Sequence, residues 1–175
     1  MRTYFKITIT LLFSSTIIFM GYNVICKINH IKEVAEYIKI IPPFSYKTTM
    51  GKVFSNADLK DDRLTIFLYF NSECEHCQIE AQQIQKNVKK LSSMHLILIS
   101  IENPKKIIDF ADKYKLDQYS NITFLYDSKV SFASTFDIKS IPTMLIYDKD
   151  QKLIEKINGQ IKVEQLLEKL NSNKK

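Results

Sequence analysis

Short apolar runs alternate along the chain with segments in which apolar residues recur at helical spacing. Leu64–Phe70 and His95–Ile101 are almost entirely apolar, which is typical of strands buried on both faces. Residues 77–91 and 107–114 instead carry apolar side chains every three or four positions, the spacing of an amphipathic helix. An Asn-Pro pair at 103–104 stands where the second of these helices would begin, with the Asn as its N-cap.

The second half of the chain continues this alternation with shorter elements. We expect a strand over 121–126, a short helix over 128–136, strands over 143–147 and 152–157 that form a hairpin, and an amphipathic helix over 163–170. Two strand–helix repeats followed by a hairpin and a helix form an α/β sandwich around a mixed sheet. The predicted fold class is therefore α/β, with helices flanking a mixed central sheet.

The N-terminal segment has a different pattern from the rest. No charged residue lies between Lys6 and Lys27, and the run Ile7–Cys26 is rich in Ile, Leu and Phe. As a helix, this run would span about 30 Å, the thickness of a bilayer's hydrocarbon core. With Arg2 and Lys6 as a cytoplasmic flank, the pattern predicts a single-pass anchor in a bacterial cell membrane, with the rest of the chain on the extracytoplasmic, periplasmic side. A cleaved signal peptide, a lipoprotein signal with Cys26 as the lipidated residue, and a buried helix are the alternatives.

A short segment links the anchor to the globular domain. Residues 29–41 contain apolar residues at helical spacing and are followed by Pro42-Pro43. Proline disfavours helix at the residue before it, so the helical pattern should end there. The sequence thus predicts three parts: a membrane segment at 1–28, a stalk at 29–41 and a globular domain at 42–175.

Composition and charge narrow the functions that the chain can have. Lys and Arg number 25 against 19 Asp and Glu, for a formal net charge of +6. The basic residues are scattered, and no Arg-rich stripe or aromatic-interleaved patch exists, so we expect no nucleic-acid partner. The three cysteines, Cys26, Cys74 and Cys77, are too few for a disulfide scaffold. We also expect a monomer that needs no cofactor.

The candidate chemistry lies in a Cys-x-x-Cys pair that follows a buried strand and opens a helix. Cys74, at the helix N-terminus, would face the positive end of the helix dipole, which favours the thiolate. The thiolate is the species that attacks a disulfide, so Cys74 is the candidate nucleophile and Cys77 would resolve the mixed disulfide. Two inert buried thiols are one alternative. Half of a zinc site is another, but structural zinc needs four ligands and no second such pair exists, so we expect no metal ligands.

Two further side chains near the cysteines can tune this exchange. His76 lies between them and can carry partial positive charge, which would stabilise the Cys74 thiolate. Glu80 lies one turn after Cys77 on the apolar helix face, where a carboxylate is unfavourable unless it is paired or protonated. Such a group could move protons for Cys77. The alternatives are a His76 that is simply exposed and a Glu80 that reaches solvent.

Several short motifs occur along the globular domain: Pro43-Phe44, Gly51-Lys52, Phe70–Cys77, Glu80, Ser140–Thr143 and Gly159. On these motifs the domain resembles the thioredoxin-like superfamily, and most closely its TlpA/ResA-like branch of membrane-tethered oxidoreductases. The resemblance implies a thioredoxin-like fold and thiol–disulfide exchange. It also implies a cis peptide bond before Pro142, which packs against the cysteine pair, and an Ile141 backbone that pairs with an extended segment of the substrate.

The sequence departs from this family at three positions. Glu73 replaces the tryptophan that often precedes the first cysteine, Leu68 stands where many thioredoxins bury an aspartate, and Gln82 replaces a proline. Glu80 is then the carboxylate best suited to proton transfer.

The sequence therefore predicts an enzyme, a thiol–disulfide oxidoreductase that exchanges disulfides with extracytoplasmic proteins through Cys74 and Cys77. Protein thiols and disulfides are its expected partners. Two other functions are alternatives. One is an extracytoplasmic copper chaperone that uses the same thiols. The other is a peroxiredoxin-like peroxidase, which needs a catalytic cysteine in a Pro/Thr-rich loop that is not found around Cys74.

Overall fold

The computed structural model describes residues 2–60 and 62–172; within the first helix, the side chains of residues 2, 3, 5 and 7–12 lie outside that description. The chain divides into two compact units, residues 1–37 and 38–175.

The first unit is an α-helix, α1, from Arg2 to Tyr37. The side chains of residues 13–31 are all exposed. Many of them are large and apolar, including Phe13, Ile18 and Phe19. In the described part of the chain, no helix combines the length and the apolar character that a membrane crossing requires. The predicted membrane span includes residues 7–12, whose side chains lie outside the described set.

The second unit is built on a mixed β-sheet. Its described strands are β1 (Ser45–Thr48), β2 (Val53–Ser55), β3 (Thr65–Tyr69), β4 (His95–Ser100), β5 (Ile122–Tyr126), β6 (Thr143–Tyr147) and β7 (Leu153–Asn158). They form one sheet in the order β2-β1-β5-β4-β3-β6-β7. The central strands β5, β4 and β3 run parallel, whereas β1, β2, β6 and β7 pair antiparallel with their neighbours. The predicted mixed sheet is confirmed.

Helices flank this sheet, as predicted. Those described in the second unit are α2 (Glu75–Lys86), α3 (Pro104–Lys113), α4 (Ser131–Thr135) and α5 (Val163–Ser172), with a short 3₁₀ helix at Asn56–Asp58. The start of α3 follows from its Asn-Pro pair, because the Asn103 side-chain oxygen accepts a hydrogen bond from the Lys106 N–H at 3.1 Å and Pro104 occupies the first turn.

The residues of β3 divide the core between the two faces of the sheet. Ile66 and Leu68 belong to the apolar cluster that α2, α3 and α5 cover. Phe67 points to the other face, where its ring centroid lies 5.8 Å from that of Phe132 and 5.9 Å from that of Tyr147. Successive side chains of a strand point to opposite faces, and all five residues of β3 are buried. A strand covered on both faces therefore needs the continuous apolar run that the sequence contains.

Element boundaries differ from the sequence pattern in two places. The pattern extends the helix after the cysteines to Leu91, but α2 ends at Lys86 and turns follow it. Val88 and Leu91 are still buried, so their spacing reflects packed turns and not helix. The pattern also places Ile38–Ile41 in the stalk, whereas Ile38 and Ile41 are buried in the domain, and the Ile41 N–H donates to a backbone carbonyl in the β6–β7 turn at 3.0 Å.

Candidate active site

Cys74 lies where the chain leaves the sheet and enters α2. The polar residues after β3 cannot remain in the buried sheet, so the chain turns at the carboxyl end of this strand. Cys74 is the N-cap residue of α2, with φ −77° and ψ 119°. Its carbonyl accepts a hydrogen bond from the Gln78 N–H at 3.0 Å, and its side chain is half-buried. The thiol is therefore accessible and lies at the positive end of the helix.

Cys77 lies one turn further into the helix and is only 1% exposed. Both cysteines are free thiols, so the structure shows the reduced pair. Burial raises the pKa of the Cys77 thiol well above its ordinary value; a hydrogen bond with the Asn71 backbone lowers this pKa, and the nearby Cys74 and Glu80 raise it. Cys77 is thus held as a thiol at neutral pH, and Cys74 is the thiol that an incoming disulfide can reach.

A proline segment lies directly against Cys74. The peptide bond between Ile141 and Pro142 is cis, as the family resemblance implies. The Cys74 thiol donates a long hydrogen bond to the Ile141 carbonyl oxygen, with 3.9 Å between sulfur and oxygen. Pro142 is buried, and its carbonyl accepts a hydrogen bond from the Gly159 N–H at 2.8 Å. The fold thus brings Ile141 and Cys74 together, although 67 residues separate them.

Glu80 is buried, with 2% exposed. Its carboxylate accepts a hydrogen bond from the Ile161 N–H at 3.0 Å. Burial raises the pKa of Glu80 to about 7, although the Ile161 bond acts in the opposite direction. Glu80 lines a small apolar cavity together with Leu68 and Met144. Leu68 occupies the position of the aspartate that many thioredoxins bury. Glu80 therefore lines the same cavity that such an aspartate would line.

His76 is exposed at the rim of the site. Its Nδ1 lies 3.0 Å from the side-chain oxygen of Gln160. His76 and Glu80, one turn apart on α2, therefore contact successive residues, Gln160 and Ile161, of the segment that leads into α5. His76 is exposed, as one of the two alternatives for this residue expects. It also contacts Gln160, which lies in a distant segment of the chain.

The structure brings four further residues to this site to which the sequence assigns no role: Ser72, Glu102, Lys106 and Gln160. Ser72 binds the Glu102 carboxylate, and Lys106 bonds Glu73 at 2.5 Å. One signal was available for Glu102, which stands almost directly after the fully buried strand β4. A charged side chain at that position must lie at the sheet edge where Cys74 also lies. Gln160 offers a weaker signal, since it follows the Gly159 of the family motif.

The arrangement is suited to two-step disulfide exchange. An accessible thiol at a helix N-cap can attack, and a buried thiol one turn away can resolve the product. A buried carboxyl group that titrates near neutral pH lies next to the second thiol and can exchange protons. Within residues 2–60 and 62–172, no group of three His, Cys, Asp or Glu side chains is placed to hold a metal ion.

Comparison with known proteins agrees with this geometry. The thiol-disulfide oxidoreductase ResA of Bacillus thuringiensis (strain Al Hakam) is 26% identical over 167 residues, which cover 94% of this chain and 92% of that protein. The structure of StoA from Bacillus subtilis has a TM-score of 0.59 and 24% identity, over 75% of this chain and 98% of StoA. Peroxidoxin BcpB from Mycobacterium tuberculosis has a TM-score of 0.65 at 17% identity, over 76% of this chain and 94% of BcpB. These two likenesses establish the thioredoxin-like fold. The family model described as AhpC/TSA matches residues 39–156, more than half of the chain, and the chain therefore belongs to the AhpC/TSA family.

Proposed function

We propose that this chain is a thiol–disulfide oxidoreductase that exchanges disulfides with extracytoplasmic proteins through Cys74 and Cys77. The observation that carries the proposal is the unequal exposure of two thiols one helical turn apart: Cys74 is half-buried and Cys77 is buried. Unequal access assigns attack to the first thiol and resolution to the second. The name of the ResA relatives, thiol-disulfide oxidoreductase, supports the same activity.

The first step joins the enzyme to its substrate. The Cys74 thiolate attacks one sulfur of a substrate disulfide, the substrate S–S bond breaks, and a mixed disulfide forms between Cys74 and the substrate. The other substrate sulfur leaves as a thiolate and takes up a proton. In this step the Ile141 backbone pairs with the extended substrate segment next to its cysteine; the 3.9 Å between the Ile141 carbonyl oxygen and the Cys74 sulfur supports this role.

The second step releases the substrate. Cys77 gives up its proton and attacks the Cys74 sulfur, which forms the Cys74–Cys77 disulfide and frees the second substrate thiol. Two electrons have then passed from the cysteine pair to the substrate, and the reverse sequence oxidises a substrate dithiol. Glu80, whose pKa burial raises to about 7, accepts the Cys77 proton, because a base with a pKa near the working pH is best suited to this transfer.

The proposal includes a location. The N-terminal helix tethers the chain to a bacterial cell membrane, and the catalytic unit faces the extracytoplasmic side. The uncharged run Ile7–Cys26 and the basic residues Arg2 and Lys6 before it support this placement.

The test is to trap the mixed disulfide. In the full chain carrying Cys26→Ser, Cys77→Ser removes the resolving thiol but keeps the attacking one. We expect it to accumulate covalent adducts with intact insulin, whose chains are joined by disulfides, and with extracytoplasmic proteins, seen as bands that disappear on reduction. Cys74→Ser should trap few or none, because Cys77 is buried and stays protonated.

Three outcomes would overturn the proposal. Equal trapping by both variants would show that the assigned order of the thiols is wrong. Failure of both variants to trap, together with tight copper binding by the reduced chain, would support the chaperone alternative. Failure to trap with consumption of hydrogen peroxide would support the peroxidase alternative.

A further inference from the structure

The loop that carries Cys74 is fastened to the connection between β4 and α3 by a buried carboxylate. Both donors of Ser72 bind Glu102: the N–H binds Oε2 at 2.6 Å and the hydroxyl binds Oε1 at 2.7 Å. The Ser100 hydroxyl adds a bond to Oε2 at 3.3 Å. The Glu102 side chain is 7% exposed, so these bonds are shielded from water, and hydrogen bonds to a carboxylate are stronger than neutral ones.

The same loop is held from the helix side. The Ser72 carbonyl accepts a hydrogen bond from the Gln78 side chain at 2.8 Å, and the Cys74 N–H donates to the Asn71 carbonyl at 3.2 Å. Ser72 is thus held by Glu102 on one side and by α2 on the other, two residues before the nucleophile. These bonds tie the position of Ser72 to that of Cys74.

Charged groups surround this fastening. The Lys106 ammonium lies 2.5 Å from the Glu73 carboxylate and 3.7 Å from that of Glu102. The hydrogen bond between Lys106 and Glu73 lowers the pKa of Glu73 and raises that of Lys106, so both are charged at neutral pH. Lys106 therefore bridges Glu73, in the loop, and Glu102, and adds a second link between the two segments.

We propose that Glu102 is a positioning residue for Cys74, an inference that rests on the proposed disulfide exchange. Through Ser72, Glu102 fixes the Cys74 thiol next to Cys77, which raises the effective concentration of one thiol at the other and favours the internal disulfide. This positioning stabilises the disulfide relative to the dithiol, so Glu102 makes the pair a stronger reductant.

The test measures the equilibrium between the protein and glutathione. In this reaction the protein dithiol and glutathione disulfide give the protein disulfide and two glutathione thiols. We use the full chain with Cys26→Ser. Glu102→Ala removes the bonds and the charge, and should lower the equilibrium constant about tenfold, which corresponds to about 30 mV. Ser72→Ala and Glu102→Gln should each lower it about threefold, because each weakens the contact in part. Ser72→Thr keeps the hydroxyl, so its equilibrium constant should match that of the unsubstituted chain. The control Glu164→Gln should match it as well, because Glu164 is an exposed carboxylate paired with Lys90 at 3.2 Å.

The result that would overturn the positioning role is an unchanged constant. If Glu102→Gln and Ser72→Ala fold, shift the melting temperature and leave the constant within twofold of the unsubstituted chain, Glu102 only stabilises the fold. These two variants keep the test decisive if Glu102→Ala does not fold. An unsubstituted chain that forms no Cys74–Cys77 disulfide with glutathione would instead overturn the proposed function, so the two failures are distinguishable.

Discussion

Glu80 carries an ionisable group into an apolar layer, where burial raises its pKa to about 7. A group that titrates near neutral pH can both take and give a proton. We predict that Glu80→Gln slows disulfide exchange roughly tenfold or more and flattens the pH dependence of the rate between pH 6 and 9. Insulin reduction followed across this range measures both effects. Glu168→Gln, exposed on α5, is the matched control, and a profile like that of the unsubstituted chain would leave Glu80 a structural residue.

The same substitution should change stability in a pH-dependent way. The pKa of Glu80 rises from 4.5 to about 7 on folding, so the folded chain binds more protons than the unfolded one between these values. By linkage, the native chain then loses stability as the pH rises from 4.5 to 7. Gln cannot ionise. Glu80→Gln should therefore be more stable than the native chain at pH 8, by on the order of 1–3 kcal/mol, and the gap should narrow towards pH 5. Urea denaturation at both pH values checks this, and an equal gap at both would contradict it.

His95 acts on stability in the opposite direction. Its pKa is lowered from 6.5 to about 4 by burial and then by the charges of Lys60 and Arg63. Its Nε2 lies 3.1 Å from the Thr123 hydroxyl, whereas Nδ1 has no hydrogen-bond partner among the described residues. The neutral ring is therefore the folded form, and its contribution is complete above pH 6.5 and is lost as the pH falls towards 4.

We predict that His95→Gln reduces this loss of stability on acidification. The amide can keep a bond to Thr123 but does not titrate. Thermal melting of the variant and of the native chain at pH 7.5 and pH 5 should show a smaller drop for the variant. Comparison with the native chain at each pH removes the opposing effect of Glu80. His30→Gln, in α1, serves as the control. An identical drop in both chains would rule out His95 as the source.

The site residues that the sequence could predict are those that share one short segment with the cysteines or belong to a family motif. Cys74, Cys77 and Glu80 lie within two turns of α2, and Pro142 is recognised by its family motif. Glu102 could not be assigned in the same way. Its bond to Ser72 joins residues 30 positions apart, and neither residue carries a periodic or apolar signal.

At the scale of elements, burial decided what the sequence pattern could predict. β3 and β4 are buried along their whole length, which requires an uninterrupted apolar run. β1 buries one of its four residues, Tyr46, and β2 lies at the sheet edge. Strands like these need few apolar residues, and their composition does not distinguish them from loops. The predicted end of α2 was also wrong. Val88 and Leu91 lie in turns, but they are buried at the same spacing that a longer helix would give.

The N-cap of α3 gives a prediction at this scale. The Asn103 side chain accepts the Lys106 N–H at 3.1 Å, and an N-cap bond of this type contributes about 1 kcal/mol. Asn103→Ala should lower the free energy of unfolding by about that amount, whereas Asn103→Asp, which keeps an acceptor, should change it little. Urea denaturation measures both. Equal losses in the two variants would show that the cap bond does not stabilise the domain.

At the scale of the whole molecule, the sheet topology explains why residues from distant segments of the chain meet at the site. β3 and β4 are parallel, so Cys74 and Glu102 both follow strand ends at one edge of the sheet. β6 is antiparallel to β3 and β7 to β6, so the start of β6 at Thr143 and the end of β7 at Asn158 reach the same edge. Strand order and direction follow only from the assembled sheet. The sequence therefore predicted the fold class more completely than the contacts of the site.

Location is also a property of the whole molecule. The uncharged run Ile7–Cys26, preceded by Arg2 and Lys6, leads us to predict that the chain remains in the membrane fraction after a carbonate wash. A protease added to spheroplasts should digest the catalytic unit. Replacing Ile17 with Lys should weaken the attachment, because a charged residue at the centre of a spanning helix costs about 3 kcal/mol.

The cleaved and the lipidated alternatives for this segment each give a different result in the same experiment. A cleaved signal peptide would release the chain from the membrane and shorten it, which intact-mass measurement detects. A lipoprotein signal would be cleaved before Cys26 and the lipid attached there, so a shortened, lipid-carrying chain would stay in the membrane fraction. Cys26→Ser would then restore the full-length mass, whereas a spanning helix gives the full-length mass with or without this substitution. Protection of the catalytic unit from the protease would show that the orientation is reversed. An extracytoplasmic substrate would then have no access to Cys74, and the reaction would have to act on cytoplasmic proteins.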